Sequence, residues 1–232
     1  MANHKIIITG DGSHTLFVPD LDEHYHSTFG AIRESKHIFL EAGFKAVAGK
    51  FYRIEIFEAG FGTGLNAFLT QIEAEKMKIP VIYTAIEAYP LEKELWSTLN
   101  YPAEIDIPGC SSAFEWLHEA SWNKPERISA YFTLKKINGL LEEFNFPRET
   151  YHLIYFDAFS PDIQPELWKK EIFERIYHSL VSGGMLVTYS VKGIVTRAMR
   201  SAGFRIEKLP GPPGKRNMLR AVKPLCLADK ND

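Results

Sequence analysis

Apolar and polar positions recur at two periods along this chain, and the switches between them mark its elements. Near the N-terminus, HKIIITGDGSHTLFVPDL sets two short apolar runs on either side of a Gly-Asp-Gly turn, which predicts a β-hairpin. In the next, polar stretch, DLDEHYHSTFGAIRESKHIFLEAGF, residues Ile32, Ser35, Ile38, Phe39 and Ala42 fall on one helical face. From about residue 53 the pattern becomes regular. RIEIFEAG reads as a strand, LNAFLTQIEAEKM as a helix and VIYTAIEA as a strand. A longer helical stretch over about 90–120 precedes the strands YFTLKKI and YHLIYFDAF. PELWKKEIFERIYHSL reads as a helix, GGMLVTYSV as a strand and VTRAMRSAG as a helix, with FRIEKL and NMLRAVKP as closing strands. Strands alternating with helices of about 10–15 residues predict crossover units and a mostly parallel α/β sheet covered on both faces. Such open sheets bind ligands beyond the carboxyl ends of their strands, near the switch point of strand order.

Composition narrows the class only a little. At 232 residues, 45% apolar and 24% charged, the chain suits a globular domain with a real core. No apolar run approaches the roughly 20 residues that span a bilayer. The N-terminal apolar run is too short, and its downstream flank too polar, for a secretory signal. The two cysteines, Cys110 and Cys226, lack metal-like spacing, so a reducing compartment, the cytoplasm, is expected, with no membrane and no metal. Charge is uneven. Between Lys192 and Lys223 stand nine basic residues (Lys192, Arg197, Arg200, Arg205, Lys208, Lys215, Arg216, Arg220, Lys223) and one acid, Glu207, whereas the rest of the chain carries 18 basic and 28 acidic residues. A basic segment on an acidic body is either a footprint for a polyanion or a solubilising surface.

Two strand ends carry the chemistry. In YHLIYFDAFSP an apolar run stops on Asp157, and a buried carboxylate is costly unless it is paired or used. It either caps the following turn or faces a site, and its place at a strand's carboxyl end favours the site. After the first regular strand, EAGFGTGLN supplies Gly60, Gly62 and Gly64, with Phe61 and Thr63 between them and Asn66 just beyond. The dinucleotide pattern fails, because its third glycine position holds Leu65, and no Walker lysine is present after it. An acid two residues before a Gly-x-Gly-x-Gly turn instead resembles the first motif of S-adenosylmethionine methyltransferases. Glu58 is then placed to hold the cofactor's cationic amino group, and Glu87, at the next strand end, to take both ribose hydroxyls. Asn138, after the third strand, is a candidate beside the adenine, although an Asn-Gly turn reads equally well there.

DAFSPDIQPELW, GGMLVTYSVKGIVTRAMRSAGF and GPPGKRNMLRA, together with YHSTFGAIRESKHIFLEAG, give a closer match. Over nearly its whole length the chain resembles the methyltransferase domain of the enzymes that make 5-methylaminomethyl-2-thiouridine in tRNA, the MnmC/MnmD type. The resemblance implies a Rossmann-like class I fold with a seven-stranded, mostly parallel sheet over residues 51–232. Residues 1–50 are then an N-terminal hairpin and helix extension packed on it. It implies methyl transfer from S-adenosyl-L-methionine to the amine of 5-aminomethyl-(2-thio)uridine at the wobble position. No sequence for the flavin-dependent domain of bifunctional members is found here. The chain departs from the family pattern at Leu140, where an acid often follows the Asn-Gly-like pair.

In this reading Asp157 orients the amine and accepts a proton. Tyr25, His26 and Ser27 with Glu34 lid the cofactor pocket. Phe159, Trp168 and Tyr189 are candidate walls for an unstacked base, beside Ser160, though each also reads as core. Lys192, Arg197, Lys215 and Arg216 are expected on the anticodon stem-loop. An aminopropyltransferase, a small-molecule N-methyltransferase and a non-catalytic S-adenosylmethionine- or RNA-binding module remain as alternatives.

Overall fold

The computed structural model describes residues 4–225, so Cys226 lies outside the described residues. The expected hairpin is present: β1 (Lys5–Ile8) and β2 (His14–Val18) pair antiparallel, and β3 (Glu23–His24) pairs with the far end of β2. These three strands form a sheet of their own, separate from the main one. A helical rod, α1, runs through Ala31–Ser35, Lys36–Phe44 and Lys45–Val47, and its nine middle residues turn in the wider i→i+5 register. Asp11, in the hairpin turn, ties the two parts together. Its Oδ1 accepts from Thr9 Oγ1 at 2.8 Å, while Oδ2 accepts from the backbone N–H of Arg33 at 2.8 Å, inside the first turn of α1.

The main sheet is built from β4 (Ile54–Ala59), β5 (Val81–Glu87), β6 (Pro125–Arg127), β7 (Phe132–Asn138), β8 (Tyr151–Phe156), β9 (Leu180–Thr188), β10 (Arg205–Pro210) and β11 (Asn217–Val222). Its order is β10-β11-β9-β8-β4-β5-β7-β6. Neighbours from β9 through β7 run parallel, while β11 is antiparallel to both β9 and β10. The strand beyond the expected seven is β6, three residues long and antiparallel to β7. Pro125 suits an edge position, and so short a strand has no alternation to announce it.

Helices cover both faces. Leu65–Met77 forms α2, and Lys93–Trp96, Tyr101–Ile105 and Cys110–Glu119 form α3, α4 and α5. Lys170–Ser179 and Gly193–Ser201 form α6 and α7. The single long helix expected over 90–120 is therefore three short ones. Pro102 opens α4, and Asp106 (φ 49°) and Gly109 (φ 82°) stand in left-handed conformations that end one helix and begin the next. The helix expected from Pro165 is also divided: a 3-10 turn, Pro165–Trp168, comes before α6, because Lys169 is extended and Trp168 Nε1 turns back to donate to the Phe159 carbonyl at 2.8 Å.

One face buries Phe39, Phe44, Ile56, Phe68, Tyr83 and Tyr155 between α1, α2 and the sheet. The other buries Phe57, Ile154, Phe156, Phe173, Ile176 and Met199 beneath α6 and α7. Central strands buried on both sides need near-continuous apolar sequence, as in YHLIYF. Chain order reverses between β4 and β8, since β5 and β7 extend the sheet from β4 one way and β9 extends it from β8 the other. The carboxyl ends of β4 and β8 are thus the switch point, and they carry Glu58 and Asp157.

Candidate active site

Above these two strand ends lies a cavity of about 540 Å³. Its floor is the turn from β4 to α2. Gly60 (φ 90°) and Gly62 (φ 50°) have conformations that side chains rarely adopt, and a Cβ on Gly60 would stand 3.2 Å from the Asp157 carbonyl oxygen. Glu87, at the end of β5, fixes the outer edge of this turn. Its Oε2 accepts from the Gly62 N–H and its Oε1 from the Tyr89 N–H, both at 2.9 Å. Phe61 lines the cavity and is 4% exposed. It packs on His118 and Trp122, with the buried Lys136 ammonium 5.4 Å from its ring centroid. Burial lowers the Lys136 ammonium to about 8, and its proton is donated to the His118 carbonyl.

Glu58 and Asp157 are joined by one side chain. Asn66, in the first turn of α2, donates from Nδ2 to Glu58 Oε1 at 3.0 Å and to Asp157 Oδ2 at 2.7 Å. Glu58 is 1% exposed, and burial raises its carboxyl well above the usual range, opposed by the Asn66 bond. Glu58 also has the buried Tyr83 hydroxyl beside it, which likewise opposes the rise of its carboxyl, while among the described residues nothing bonds the buried Asn66 Oδ1. Buried polar atoms in native folds nearly always have partners, and Asn66 lines the cavity, so its free oxygen marks a place for a polar ligand group; Glu58 lies behind it and does not line the cavity. Asp157 is half-buried at the cavity wall, and its backbone N–H donates to the Ala59 carbonyl at 3.2 Å. Burial, and then the charge of Glu34, raise it to about 7 against the Asn66 bond and the Lys215 charge.

The roof is aromatic. Tyr25 meets Phe159 edge-on at 5.1 Å and covers Gly62, where a Cβ would lie 3.2 Å from its ring. Burial, with the Glu87 charge, raises its phenol above the ordinary range. His26 is held neutral by burial, lowered to about 4, and its ring lies 3.5 Å from the Thr63 hydroxyl. Glu34 accepts from the Ser27 N–H at 2.8 Å and from Lys215 Nζ at 2.6 Å.

Of the residues singled out in the sequence, the fold brings Tyr25, Glu34, Gly60, Phe61, Gly62, Thr63, Asn66, Glu87, Asp157, Phe159, Ser160 and Tyr189 to one cavity. Others stand elsewhere: Glu58 and Gly64 lie beside the cavity but do not line it. Asn138 is exposed and does not line the cavity, whose wall there is Gly139 to Glu142, because Asn138 is drawn aside by an N–H bond to Asn123 Oδ1 at 3.2 Å. Trp168 is core, 3% exposed and packed on Phe156 at 4.8 Å. Lys215 points into the cavity, while Lys192, Arg197 and Arg216 lie on the outer surface, Lys192 paired with Asp162. Gln164, Glu166 and Tyr89 also line the cavity, and no local pattern in the sequence announces them.

Residues 115–224 match the model of a family described as S-adenosyl-L-methionine-dependent methyltransferase. Curated relatives include the tRNA 5-methylaminomethyl-2-thiouridine biosynthesis bifunctional protein MnmC of Magnetococcus marinus, 28% identical over 90% of this chain and 32% of that protein. Its namesake in Campylobacter fetus is 29% identical over 93% of this chain and 35% of that protein. The chain thus spans about a third of the length of the curated relatives it matches. Among solved structures, MNMC2 from Aquifex aeolicus superposes with a TM-score of 0.79 and 25% identity, over 97% of this chain and 71% of that one. Spermidine synthase from Thermotoga maritima shares the fold at a TM-score of 0.54 and 12% identity, over 92% of this chain and 69% of that one. No helix among the described residues is long and apolar enough to cross a membrane.

Proposed function

We propose that the chain is an S-adenosyl-L-methionine-dependent methyltransferase of the MnmC methyltransferase-domain kind, and that it methylates the primary amine of 5-aminomethyl-(2-thio)uridine at the wobble position of tRNA. The observation that carries this reading is Asp157 on the cavity wall beside the glycine turn, joined through Asn66 to the buried Glu58. When bound, S-adenosylmethionine supplies a methyl group on a cationic sulfur. The residues present fit it: Asn66 lines the cavity with its Oδ1 unpartnered, Gly60 and Gly62 bring bare backbone to it, and Glu87 stands at its edge. Such a cofactor has no phosphates, which agrees with a turn that lacks the phosphate-cradling pattern.

The nucleophile must be a neutral amine. With lysine as the model, an alkylammonium titrates near 10.4, so the neutral form at pH 7 costs roughly 4–5 kcal/mol. Asp157, poised at about 7 and half-buried, is suited to accept that proton and to orient the nitrogen lone pair. Glu58 is fully enclosed and is suited to hold Asn66 in place rather than to exchange protons. Holding the two reactants in line accounts for most of the acceleration, for which about 7–11 kcal/mol is available in good cases.

The bifunctional relatives are named for biosynthesis of this nucleoside in tRNA, which supports the substrate. The test is mass spectrometry of nucleosides from tRNA carrying 5-aminomethyl-2-thiouridine, incubated with the protein and methyl-labelled cofactor. Labelled 5-methylaminomethyl-2-thiouridine is expected. Cofactor binding with no labelled nucleoside would remove the proposed substrate while leaving the cofactor site intact.

A further inference from the structure

Several cavity carboxylates have no part in the chemistry above, and one of them is buried and doubly held. Glu34, on α1, is 7% exposed. Its Oε2 is fixed by the Ser27 N–H at 2.8 Å, and its Oε1 accepts from Lys215 Nζ at 2.6 Å. Lys215 arrives from the loop before β11, and its ammonium lies 4.3 Å from the centroid of the Tyr189 ring. That ring is itself held, since its hydroxyl donates to the Ala158 carbonyl at 2.9 Å and it packs on Trp168 at 6.1 Å. Glu34, Tyr189, Lys215 and Asp157 all line the one cavity, and the charges of Glu34 and Lys215 are both felt at Asp157. A buried carboxylate beside an aromatic face is an environment that selects an ammonium: the acid gives a charge-assisted hydrogen bond and the ring its negative face. Here the ammonium in place is the chain's own.

We propose that Glu34 and the face of Tyr189 form the recognition site for the substrate's ammonium, and that Lys215 fills it as a tethered stand-in until the substrate displaces it. The inference rests on the reading that the acceptor is a primary amine. One cation replaces another, so Glu34 is never left buried and unpaired, a state that is strongly destabilising. The incoming group keeps its proton while it stands on Glu34, and gives it up to the adjoining Asp157. An uncharged analogue cannot make this exchange, because expelling Lys215 would then strand the acid.

The test measures binding of 5-aminomethyluridine and of its uncharged counterpart, 5-hydroxymethyluridine, to the full chain by titration calorimetry. Wild type, Glu34→Gln and Lys215→Met are compared, each with its melting temperature. Glu34→Gln is expected to lose about tenfold in affinity for the amine and to leave the hydroxymethyl compound unchanged, so that the preference disappears. Lys215→Met is expected to bind the amine about tenfold more tightly, because its competitor is gone. An unchanged preference in Glu34→Gln overturns the proposal. So does weaker amine binding in Lys215→Met, or none at about 10 mM. Should Glu34→Gln fail to fold, Lys215→Met decides alone, since only displacement predicts a gain. Methylation of tRNA by wild type is scored separately. An amine preference without methylation keeps this inference and removes the functional reading, and methylation with an unchanged preference does the reverse.

Discussion

At the scale of single residues, the site turns on where the protons of two carboxylates reside. Asp157→Asn should keep cofactor affinity within a few-fold and lower the single-turnover methylation rate by about 10²–10⁴, the usual span for a positioned base. Calorimetry and rapid quench would separate the two effects. The pH dependence has a definite sign. Asp157 works as the carboxylate and is raised to about 7 in the fold, so the rate should fall as pH drops below about 7 and level off above it. Stability should move the other way. A carboxyl raised from 3.8 to about 7 binds more proton folded than unfolded across that interval. Its contribution is therefore present below the unfolded value and is lost as pH rises through the folded one. Urea midpoints of wild type should show this fall relative to Asp157→Asn, and parallel pH profiles would refute the assignment. The position of Asp157 on the cavity wall was legible because an apolar strand ended on an acid. That Asn66 bridges it to Glu58 was not, since the partners lie 91 and 8 positions away and only the switch point brings them together.

At the scale of elements, the glycine turn is the part whose geometry the fold controls most tightly. Glu87 holds two backbone N–H groups, one of them in that turn, so Glu87→Ala should both loosen the turn and remove a charged acceptor. Hydrogen bonds to charged groups are worth about 1.5–3 kcal/mol, so cofactor affinity should fall about 10- to 100-fold, measurable by calorimetry. Gly64→Ala tests the turn from the other end. Gly64 has φ 72°, and an added Cβ would stand 2.9 Å from His118 Nε2, so the substitution should lower stability by about 1–2 kcal/mol, read from denaturant melts. Strand and helix periods in the sequence located β4, α2, β5, β8 and β9 well, because each is long and buried. Short elements escaped: β6 has three residues, and the breaks among α3, α4 and α5 depend on single left-handed residues such as Asp106. Asn138, expected beside the adenine, does not line the cavity, whereas its neighbour Gly139 does. A bond to Asn123, formed across a loop, decides which residue of that strand end faces the cavity.

At the scale of the whole molecule, the basic segment proves to be two populations. Lys192, Arg205, Lys215, Arg220 and Lys223 are each paired with an acid, whereas Arg197, Arg200, Lys208 and Arg216 are exposed and make no ion pair among the described residues. Counting charge along the sequence cannot separate these, since Lys215 finds Glu34 from 181 positions away. The surface available to a polyanion is therefore carried by the second group. Charge reversal of Arg197 and Arg216 should weaken tRNA binding and flatten its salt dependence by about 0.7–0.9 for each phosphate no longer neutralised, checked by filter binding over a salt series. An unchanged slope would move the RNA to another face.

The strand order has one more consequence, and it concerns the ribosome. Strand β11 lies between β9 and β10, so the sheet has a gap in its interior until residues 217–222 have been made. A nascent chain that has emerged only as far as Pro210 offers the exposed edge of β9 to any neighbour, and such edges invite mispairing. Completion of this domain must wait for nearly all of its length to leave the exit tunnel, and chains released before Val222 should be cleared or aggregate rather than accumulate as partly working enzyme.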